Sequence, residues 1–249
     1  MNISSENISA VILAGGFGMR IKHLLGDLPK PMVPVNGRPF IEWIVRYLAA
    51  QRITEVVLST GYLAEMIEHY FRSQPVPGVH VTCVPETTPL GTAGGFLNAV
   101  RQSKLHPPAW LLLNGDTLAF ASLSDAVDAL RNQATAGVIF GREVADSSRY
   151  GSLQTDATGR LAGFEEKRPG KGMISTGIYL FRDSLVQSFP DRTPLSLEQE
   201  VFPALTAAGV SLKVLPMNAP FLDIGTPETL READFFIQKN GTQFQPAPV

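Results

Sequence analysis

The sequence predicts an α/β fold: a Rossmann-like, mostly parallel β-sheet with helices on both faces and a β-rich insertion. Two observations carry this prediction. In the first half of the chain, strand-like and helix-like segments alternate, and the strand-like segments are apolar throughout. Continuously apolar strands are typical of a parallel sheet that is covered on both faces. After about residue 136, strand-like segments follow one another with turns between them, which indicates the insertion.

The first half of the chain alternates regularly. The predicted strands lie at 11–14, 56–59, 79–84 and 110–113, and predicted helices lie at 38–51, 63–71 and 124–132. A further helix is expected to open from the glycine-rich turn at 89–95 and to run to about residue 101. The helix at 38–51 is the clearest, because Phe40, Ile41, Ile44, Val45, Leu48 and Ala49 fall on one face of a 3.6-residue period. Right-handed crossovers would bring the loops at 15–18, 61–62 and 115–117 to one edge of the sheet, where open α/β sheets bind ligands.

The second half is richer in strands. Predicted strands lie at 137–144, 151–155, 161–165, 174–181 and 210–215, with a short apolar run at 221–225. A helix is expected at 197–208, because acidic residues crowd its first turn and Gly209 ends it. A last helix is expected to begin with Thr226 as its N-cap and Pro227 as its first residue. The segment Gln243–Val249 is expected to be frayed.

Composition excludes several classes of protein. The chain has 249 residues, 21 basic and 23 acidic side chains and a net charge of −2, which argues against coating nucleic acid or an anionic membrane. It has no long apolar run and a polar amino terminus, so we expect a cytoplasmic protein without a membrane partner. The single cysteine, Cys83, cannot form an internal disulfide and is expected to be a structural thiol. The four histidines fall in no shared motif and are expected to be structural or exposed.

The stretch from Val11 to Val35 is the strongest local signal. An apolar run at 11–14 breaks into Gly15-Gly16-Phe17-Gly18, and two cations follow, Arg20 and Lys30, the second between two prolines. Glycines let backbone N–H groups approach phosphates closely, and two cations would suit a triphosphate. The loop is neither the dinucleotide fingerprint, because Ile21 stands at the third glycine, nor a P-loop.

Two aspartates are candidate metal ligands. Asp116 follows a strand that is apolar throughout, at the sheet edge where a ligand would bind, and Asp223 stands between Leu222 and Ile224. A turn role for Asp116, and an ion pair or helix cap for Asp223, are the structural alternatives. Because Mg²⁺ takes one or two carboxylates together with substrate phosphates, the two aspartates form a natural pair for that ion.

Five motifs in order carry a family resemblance over about residues 9–240. They are Leu13-Ala14-Gly15-Gly16-Phe17-Gly18-Met19-Arg20 with Leu28-Pro29-Lys30-Pro31-Met32-Val33-Pro34-Val35, then Leu90-Gly91-Thr92-Ala93-Gly94, Leu113-Asn114-Gly115-Asp116-Thr117, Phe164-Glu165-Glu166-Lys167 and Asp223-Ile224-Gly225-Thr226-Pro227. Together they resemble the signature of the sugar-1-phosphate nucleotidylyltransferases. Within that family the chain looks most similar to D-glycero-D-manno-heptose 1-phosphate guanylyltransferases, which make a GDP-heptose for surface polysaccharides.

The resemblance implies a reaction and its partners. A nucleoside triphosphate, which is GTP in the most similar subgroup, would react with a sugar 1-phosphate, and Mg²⁺ would be the cofactor. The attacking phosphate is already an anion, so no catalytic base is required; the site must supply charge neutralisation and in-line positioning. The resemblance also implies one domain at 1–240, made of a nucleotide-binding core (9–135), a sugar-binding part (136–225) and a C-terminal helix (226–240), followed by a tail (241–249). A homo-oligomer is possible on the sequence.

The resemblance also implies residue roles. Arg20, Lys30 and Lys167 are the implied catalytic cations, with Arg168 an alternative to Lys167 as the contact to the sugar phosphate. The implied nucleotide-binding residues are Leu13, Ala14, Gly15, Gly16, Gly18, Glu86, Gly91, Thr92, Ala93, Asn114 and Gly115. The implied sugar-phosphate residues are Gly151, Glu166, Lys167, Ser175 and Thr176, and Asp116 with Asp223 would hold the metal.

Rival functions remain open on the sequence. One is a non-catalytic homologue that binds a nucleotide sugar and regulates a partner, although the arginine, lysine and aspartates of the motifs are all present. Another is a nicotinamide oxidoreductase, which the missing third glycine opposes. Within the family, a mannose 1-phosphate guanylyltransferase, a uridylyltransferase or a cytidylyltransferase would fit the same motifs.

Overall fold

The computed structural model describes residues 3–16, 18, 21–148, 150–165 and 169–245, and these form thirteen strands and eight α-helices. The strands β1 to β13 are Ser9–Ala14, Pro34–Val35, Arg38–Pro39, Glu55–Thr60, His80–Pro85, Ala109–Asn114, Thr117–Ala119, Gly137–Val144, Ser152–Thr155, Leu161–Glu165, Gly172–Arg182, Leu212–Pro216 and Phe221–Asp223. The helices α1 to α8 are Lys22–Leu25, Phe40–Ala50, Ala64–Ser73, Gly91–Ser103, Leu123–Arg131, Asp183–Val186, Phe202–Ala207 and Pro227–Lys239. Short 3₁₀ segments lie at Ser5–Asn7, Lys30–Met32 and Gly241–Phe244, and a π-helical turn at Leu197–Val201.

One large sheet joins both halves of the chain. Its order is β10-β9-β11-β6-β1-β4-β5, and β8 pairs with β11 and β12. The strands β6, β1, β4 and β5 run parallel to one another, with Ile12 of β1 in register with Leu58 of β4 on one side and Leu113 of β6 on the other. β11 runs antiparallel to β6, so the β-rich part extends the same sheet. The predicted α/β class, with a parallel core, is confirmed.

The core lies in two layers, one on each face of the sheet. Along β6, Leu111 and Leu113 pack in one apolar cluster, whereas Trp110 and Leu112 pack in the other. The first cluster includes buried residues of α2, α3, α5 and α8, and the second those of α4, α6 and α7. Because successive strand residues face opposite ways, a strand buried on both sides must be apolar throughout.

Two predicted elements differ in form from the expectation. The helix predicted from Arg38 begins at Phe40, because Arg38–Pro39 pairs with Pro34–Val35 as a small strand. The helix predicted at 197–208 divides into a π-helical turn and α7. Pro203 lacks the N–H that a continuous α-helix would donate to residue 199, which explains the wider turn before it.

The strand predicted from Val210 begins two residues later. The N–H of Val210 donates to the carbonyl of Leu205 at 2.9 Å, which closes the end of α7, and β12 begins at Leu212. The expectation for the last helix is confirmed: Thr226 caps it and its hydroxyl accepts from the N–H of Thr229.

The expectation of a frayed segment from Gln243 is wrong for the residues that are described. Gly241–Phe244 forms a 3₁₀ turn. The ring of Phe244 lies 4.9 Å from that of Trp43 and 5.6 Å from that of Phe120, centroid to centroid. An aromatic side chain near the chain end had a place to pack, which local composition does not reveal. Residues 246–249 lie outside the described residues.

The carboxyl ends of the parallel strands bring three loops together. The N–H of Gly115 donates to the carbonyl of Leu13 at 2.9 Å. A Cβ on Gly61 would lie 2.8 Å from the carbonyl oxygen of Gly15, so glycine is needed there for close approach. Within the described residues, no helix combines the length and the apolar character needed to cross a membrane.

Candidate active site

A cavity of about 540 Å³ lies at the carboxyl ends of β1 and β6, against the amino end of α4. It takes in ten of the eleven residues that the resemblance assigns to the nucleotide: Leu13, Ala14, Gly15, Gly16, Gly18, Glu86, Gly91, Thr92, Asn114 and Gly115. The eleventh, Ala93, is fully buried in the apolar cluster beneath α4. The structure therefore gathers residues from three separate motifs, together with Glu86, around one space.

Glu86 is one of two acidic side chains among the described residues that line this cavity, and Asp116 is the other. Its Oε1 accepts from the hydroxyl of Ser59 at 2.8 Å, and its Oε2 from the N–H of Leu90 at 3.2 Å. A Cβ on Gly95 would lie 2.5 Å from Oε1, so that glycine makes room for the carboxylate. The carboxylate is thus held in place by its neighbours while it lines the cavity.

A second cavity, of about 220 Å³, adjoins the first. It is lined by three of the predicted sugar-phosphate residues, Gly151, Ser175 and Thr176, and by Asp223. The hydroxyl of Thr176 is turned away to the carbonyl of Phe140 at 3.0 Å, and the residue is only 2% exposed. The strand β11 and the segment before β9 position this cavity beside the predicted nucleotide site.

The two cavities share a wall. Lys30, Asn114, Asp116 and Gly225 line both of them. The Nζ atom of Lys30 lies 2.6 Å from Oδ2 of Asp116, and the lysine side chain is only 11% exposed. Pro29 and Pro31 hold the short 3₁₀ turn that directs this side chain inward. A fixed positive charge therefore stands where contents of the two cavities would meet.

Asp116 and Asp223 are brought together by strand pairing. β13 runs antiparallel to β7 with Asp223 opposite Thr117, and the N–H of Ile224 donates to the carbonyl of Asp116 at 3.0 Å. Both aspartates line the smaller cavity. Oδ1 of Asp223 accepts from the N–H of Gly225 at 2.7 Å. Two neighbouring carboxylates fit the few protein ligands that Mg²⁺ usually takes.

The described residues hold no group of three or more His, Cys, Asp or Glu side chains that could bind a metal by themselves. An ion held by Asp116 and Asp223 would therefore draw its other ligands from phosphate oxygens or water.

Several predicted residues lie outside the described part of the chain: Arg20, Glu166 and Lys167, together with Arg168. Their roles stay predictions.

The sequence did not reveal Glu198 and Tyr179, which both line the smaller cavity. In the sequence, Glu198 is only one of several acidic residues at the start of a predicted helix. Tyr179 could have been noticed, because its hydroxyl stands between Ile178 and Leu180 in an apolar run of β11 and needs a polar partner there. Burial raises the pKa of that hydroxyl, and the nearby negative charge of Glu198 raises it further, so Tyr179 stays neutral.

The described lining of the two cavities includes no histidine or cysteine. All four histidines, His23, His69, His80 and His106, are exposed. Burial raises the pKa of the Cys83 thiol to about 11, so it is protonated at neutral pH. The described site thus offers anchored charges and polar donors, the groups that position and neutralise phosphates.

Comparison with known proteins agrees with this geometry. Residues 9–240 match the family described as nucleotidyl transferase. A D-glycero-alpha-D-manno-heptose 1-phosphate guanylyltransferase of Campylobacter jejuni is 34% identical over 225 residues, which cover 89% of this chain and 96% of that one. A mannose-1-phosphate guanylyltransferase of Mycobacterium tuberculosis is 33% identical over 229 residues, 91% of this chain; the match spans 63% of that longer relative.

A solved structure shares the fold. The crystal structure of HddC from Yersinia pseudotuberculosis, complexed with GMP-PN, superposes with a TM-score of 0.79 at 32% identity and covers 91% of this chain and 98% of that one. The predicted family is confirmed, and with it the expectation of an enzyme of the nucleotidyltransferase class. The chain belongs to the nucleotidyl transferase family.

Proposed function

We propose that this protein transfers a guanylyl group from GTP to D-glycero-D-manno-heptose 1-phosphate, giving a GDP-heptose for surface polysaccharide and releasing pyrophosphate in the cytoplasm. The observation that carries the proposal is the shared wall of the two cavities, where Lys30 and Asp116 lie 2.6 Å apart. The names of the Campylobacter jejuni relative and of the Yersinia pseudotuberculosis complex support the choice of sugar and nucleotide.

In this proposal GTP occupies the larger cavity and the sugar 1-phosphate the smaller one. A phosphate oxygen of the sugar attacks the α-phosphorus, the bond from that phosphorus to the β-phosphate oxygen breaks, and pyrophosphate leaves with the electron pair. The attacking oxygen is already ionised, so no protein base has to remove a proton. Lys30 stabilises the charge that develops at the α-phosphate, and the glycine loop positions the triphosphate with its N–H groups.

Asp116 and Asp223 are the residues that would hold Mg²⁺. When bound, the ion would neutralise phosphate charge and orient the leaving pyrophosphate. Enzyme stripped with EDTA should lose pyrophosphate release and regain it with Mg²⁺. Asp116→Asn should lower kcat by about 10²-fold or more at saturating Mg²⁺, because an amide is a weaker ligand than a carboxylate. A variant that keeps near-normal turnover would contradict the metal role.

The substrate pair is tested by measuring pyrophosphate release with four nucleoside triphosphates against heptose, mannose and glucose 1-phosphates. We expect the highest kcat/KM for GTP with D-glycero-D-manno-heptose 1-phosphate. Mannose 1-phosphate is the second candidate, since the relative from Mycobacterium tuberculosis is named for it. A preference for mannose 1-phosphate would replace the sugar and keep the reaction, whereas no turnover with any pair would overturn the proposal. Lys30→Ala protein, purified in parallel, controls for contaminating enzymes.

A further inference from the structure

The segment Leu195–Glu198 is attached to the amino end of α4, although the two are about 100 residues apart in the chain. The carbonyl of Leu195 accepts from the N–H groups of Ala93 and Gly94, at 2.9 and 3.1 Å. A Cβ on Gly91 would lie 2.5 Å from that carbonyl oxygen. The amino end of α4 borders the larger cavity, and Glu198 borders the smaller one, so this attachment connects the two.

Thr92 makes the side-chain part of the connection. Its hydroxyl donates to Oε2 of Glu198 at 2.9 Å and accepts from the N–H of Leu197 at 2.8 Å. A hydroxyl has a single hydrogen to donate. In this arrangement the Thr92 hydroxyl therefore has no proton left for a nucleotide in the larger cavity, although the residue lines that cavity.

Glu198 is oriented through one of its two oxygens. Oε2 accepts from Thr92 and, at 3.2 Å, from the hydroxyl of Ser196. Oε1 has a long contact, 3.4 Å, with the hydroxyl of Tyr179, which also lies 2.9 Å from the hydroxyl of Ser175. A carboxylate oxygen can accept two hydrogen bonds, so Oε1 keeps capacity for a donor in the cavity.

We propose that Glu198 binds a hydroxyl group of the sugar 1-phosphate and that Thr92, on the wall of the nucleotide cavity, is the positioning residue that fixes its orientation. This inference rests on the proposed function and deepens it by assigning a specificity-determining residue. A hydrogen bond from a sugar hydroxyl to a carboxylate is charge-assisted, and sites that hydrogen-bond a substrate hydroxyl discriminate strongly against analogues that lack it.

Steady-state kinetics of three variants test the positioning role. Thr92→Val keeps the shape and removes the hydroxyl, Thr92→Ser keeps the hydroxyl, and Glu198→Gln removes the charge. We expect Thr92→Val and Glu198→Gln to raise the KM for the sugar 1-phosphate about 10-fold or more, from the loss of a hydrogen bond to a charged group. The Kd for GTP, measured by calorimetry without sugar, should change less than about twofold, and Thr92→Ser should restore the KM.

Deoxy substrates test the contact itself. The analogues are monodeoxy forms of the sugar 1-phosphate that the wild type prefers. For one of them, kcat/KM with the wild type should fall well below the value for the full sugar. With that analogue, the further substitution Glu198→Gln should lower kcat/KM only slightly, because the hydrogen bond is already missing. If, for every analogue, the loss of kcat/KM from the missing hydroxyl and the loss from Glu198→Gln multiply, then Glu198 contacts no hydroxyl and the inference is wrong.

The inference and the proposed function fail in different ways. A wild-type enzyme that turns over no sugar 1-phosphate would overturn the proposed function, and the inference with it. If the wild type is active and Thr92→Val weakens GTP binding while the sugar KM stays unchanged, only the inference is overturned, and Thr92 serves the nucleotide instead.

Discussion

Lys30 is the residue on which the proposed chemistry depends most. It lines both cavities, its ammonium group contacts Asp116, and it is nearly buried. A cation held in a partly dry site stabilises developing charge far more than one in water, because its dipolar surroundings need not reorganise.

We therefore expect Lys30→Ala to lower kcat by about 10²–10³-fold. The folded enzyme should keep a Tm within a few degrees of the wild type, because Asp116 is 38% exposed and can be hydrated once its partner is gone. Arg72→Ala is the matched control: it removes a cation from the exposed pair with Glu68 and should change neither quantity measurably. A Lys30→Ala protein that melts early but keeps its rate would reverse the assignment from catalytic to structural.

At the residue scale, the sequence predicted groups that stand in motifs and missed those that depend on tertiary contact. Lys30, Asp116 and the glycines could be predicted because their spacing carries the chemistry. Glu198 reaches the smaller cavity only because Leu195 accepts hydrogen bonds from the amino end of α4. A contact between segments about 100 residues apart leaves no local pattern.

The amino end of α4 lines the larger cavity and donates hydrogen bonds to the carbonyl of Leu195. Gly91 has φ +77° and would place a Cβ against the backbone of Leu195. Gly91→Ala should lower the Tm and raise the KM values for both GTP and the sugar 1-phosphate, because the left-handed backbone strains the cavity wall and the clash displaces the segment that carries Glu198. Gly209→Ala is the control: its φ is +71°, and nothing lies within 4 Å of the added Cβ. Gly209→Ala should lower the free energy of unfolding only by the backbone strain, about 1–2 kcal/mol, and should leave the KM values of both substrates unchanged. Equal kinetics in both variants would contradict the role of the attachment.

The helices α2 and α3 are joined by a buried carboxylate. Glu42 in α2 contacts Arg38 at 2.7 Å and Arg46 at 2.6 Å, and it accepts from the hydroxyl of Tyr70 in α3. Burial by itself raises the pKa of Glu42, but the hydrogen bonds from Tyr70 and Arg46 and the two positive charges hold it below its ordinary value of 4.5.

This pKa shift predicts how stability depends on pH. The unfolded chain takes up a proton at Glu42 at higher pH than the folded chain does, so the stabilisation is complete above about pH 4.5 and is lost as the pH falls through the folded pKa. Glu42→Gln should lower the free energy of unfolding at pH 7 by about 1–3 kcal/mol, and the Tm of the variant should depend less on pH in the acid range. Glu68→Gln, in an exposed pair, should leave the acid profile as it is in the wild type. If the Tm of Glu42→Gln still falls steeply in acid, the acid dependence arises from other carboxylates.

At the scale of the whole molecule, the sequence predicted the alternating core and missed how the chain end closes it. Continuously apolar strands indicated helices on both faces, as found. The place of Phe244 beside Trp43 and Phe120 depends on where α2 and the chain end meet in space. No periodicity in 241–249 could have predicted it.

The packed chain end should contribute to global stability and leave the reaction unaffected. Phe244→Ala should lower the free energy of unfolding by about 1–3 kcal/mol. This is less than for a fully buried phenylalanine, because Phe244 is only half-buried. Phe235→Ala is the control: its side chain is 68% exposed and should cost less than about 0.5 kcal/mol. Chemical denaturation measures both, and kcat should stay unchanged. Equal effects of the two substitutions would mean that Phe244 does not pack as described.

The central claim is that the phosphate of the sugar displaces pyrophosphate directly from the α-phosphorus of GTP, at the wall that contains Lys30 and Asp116. Exchange of labelled pyrophosphate into GTP tests it most directly. The enzyme is incubated with GTP, Mg²⁺ and labelled pyrophosphate, with and without the sugar 1-phosphate. The account predicts labelled GTP only when the sugar 1-phosphate is present, because the label returns by reversal of nucleotide-sugar formation. Label in GTP without the sugar would show a nucleotidyl-enzyme intermediate and contradict direct transfer.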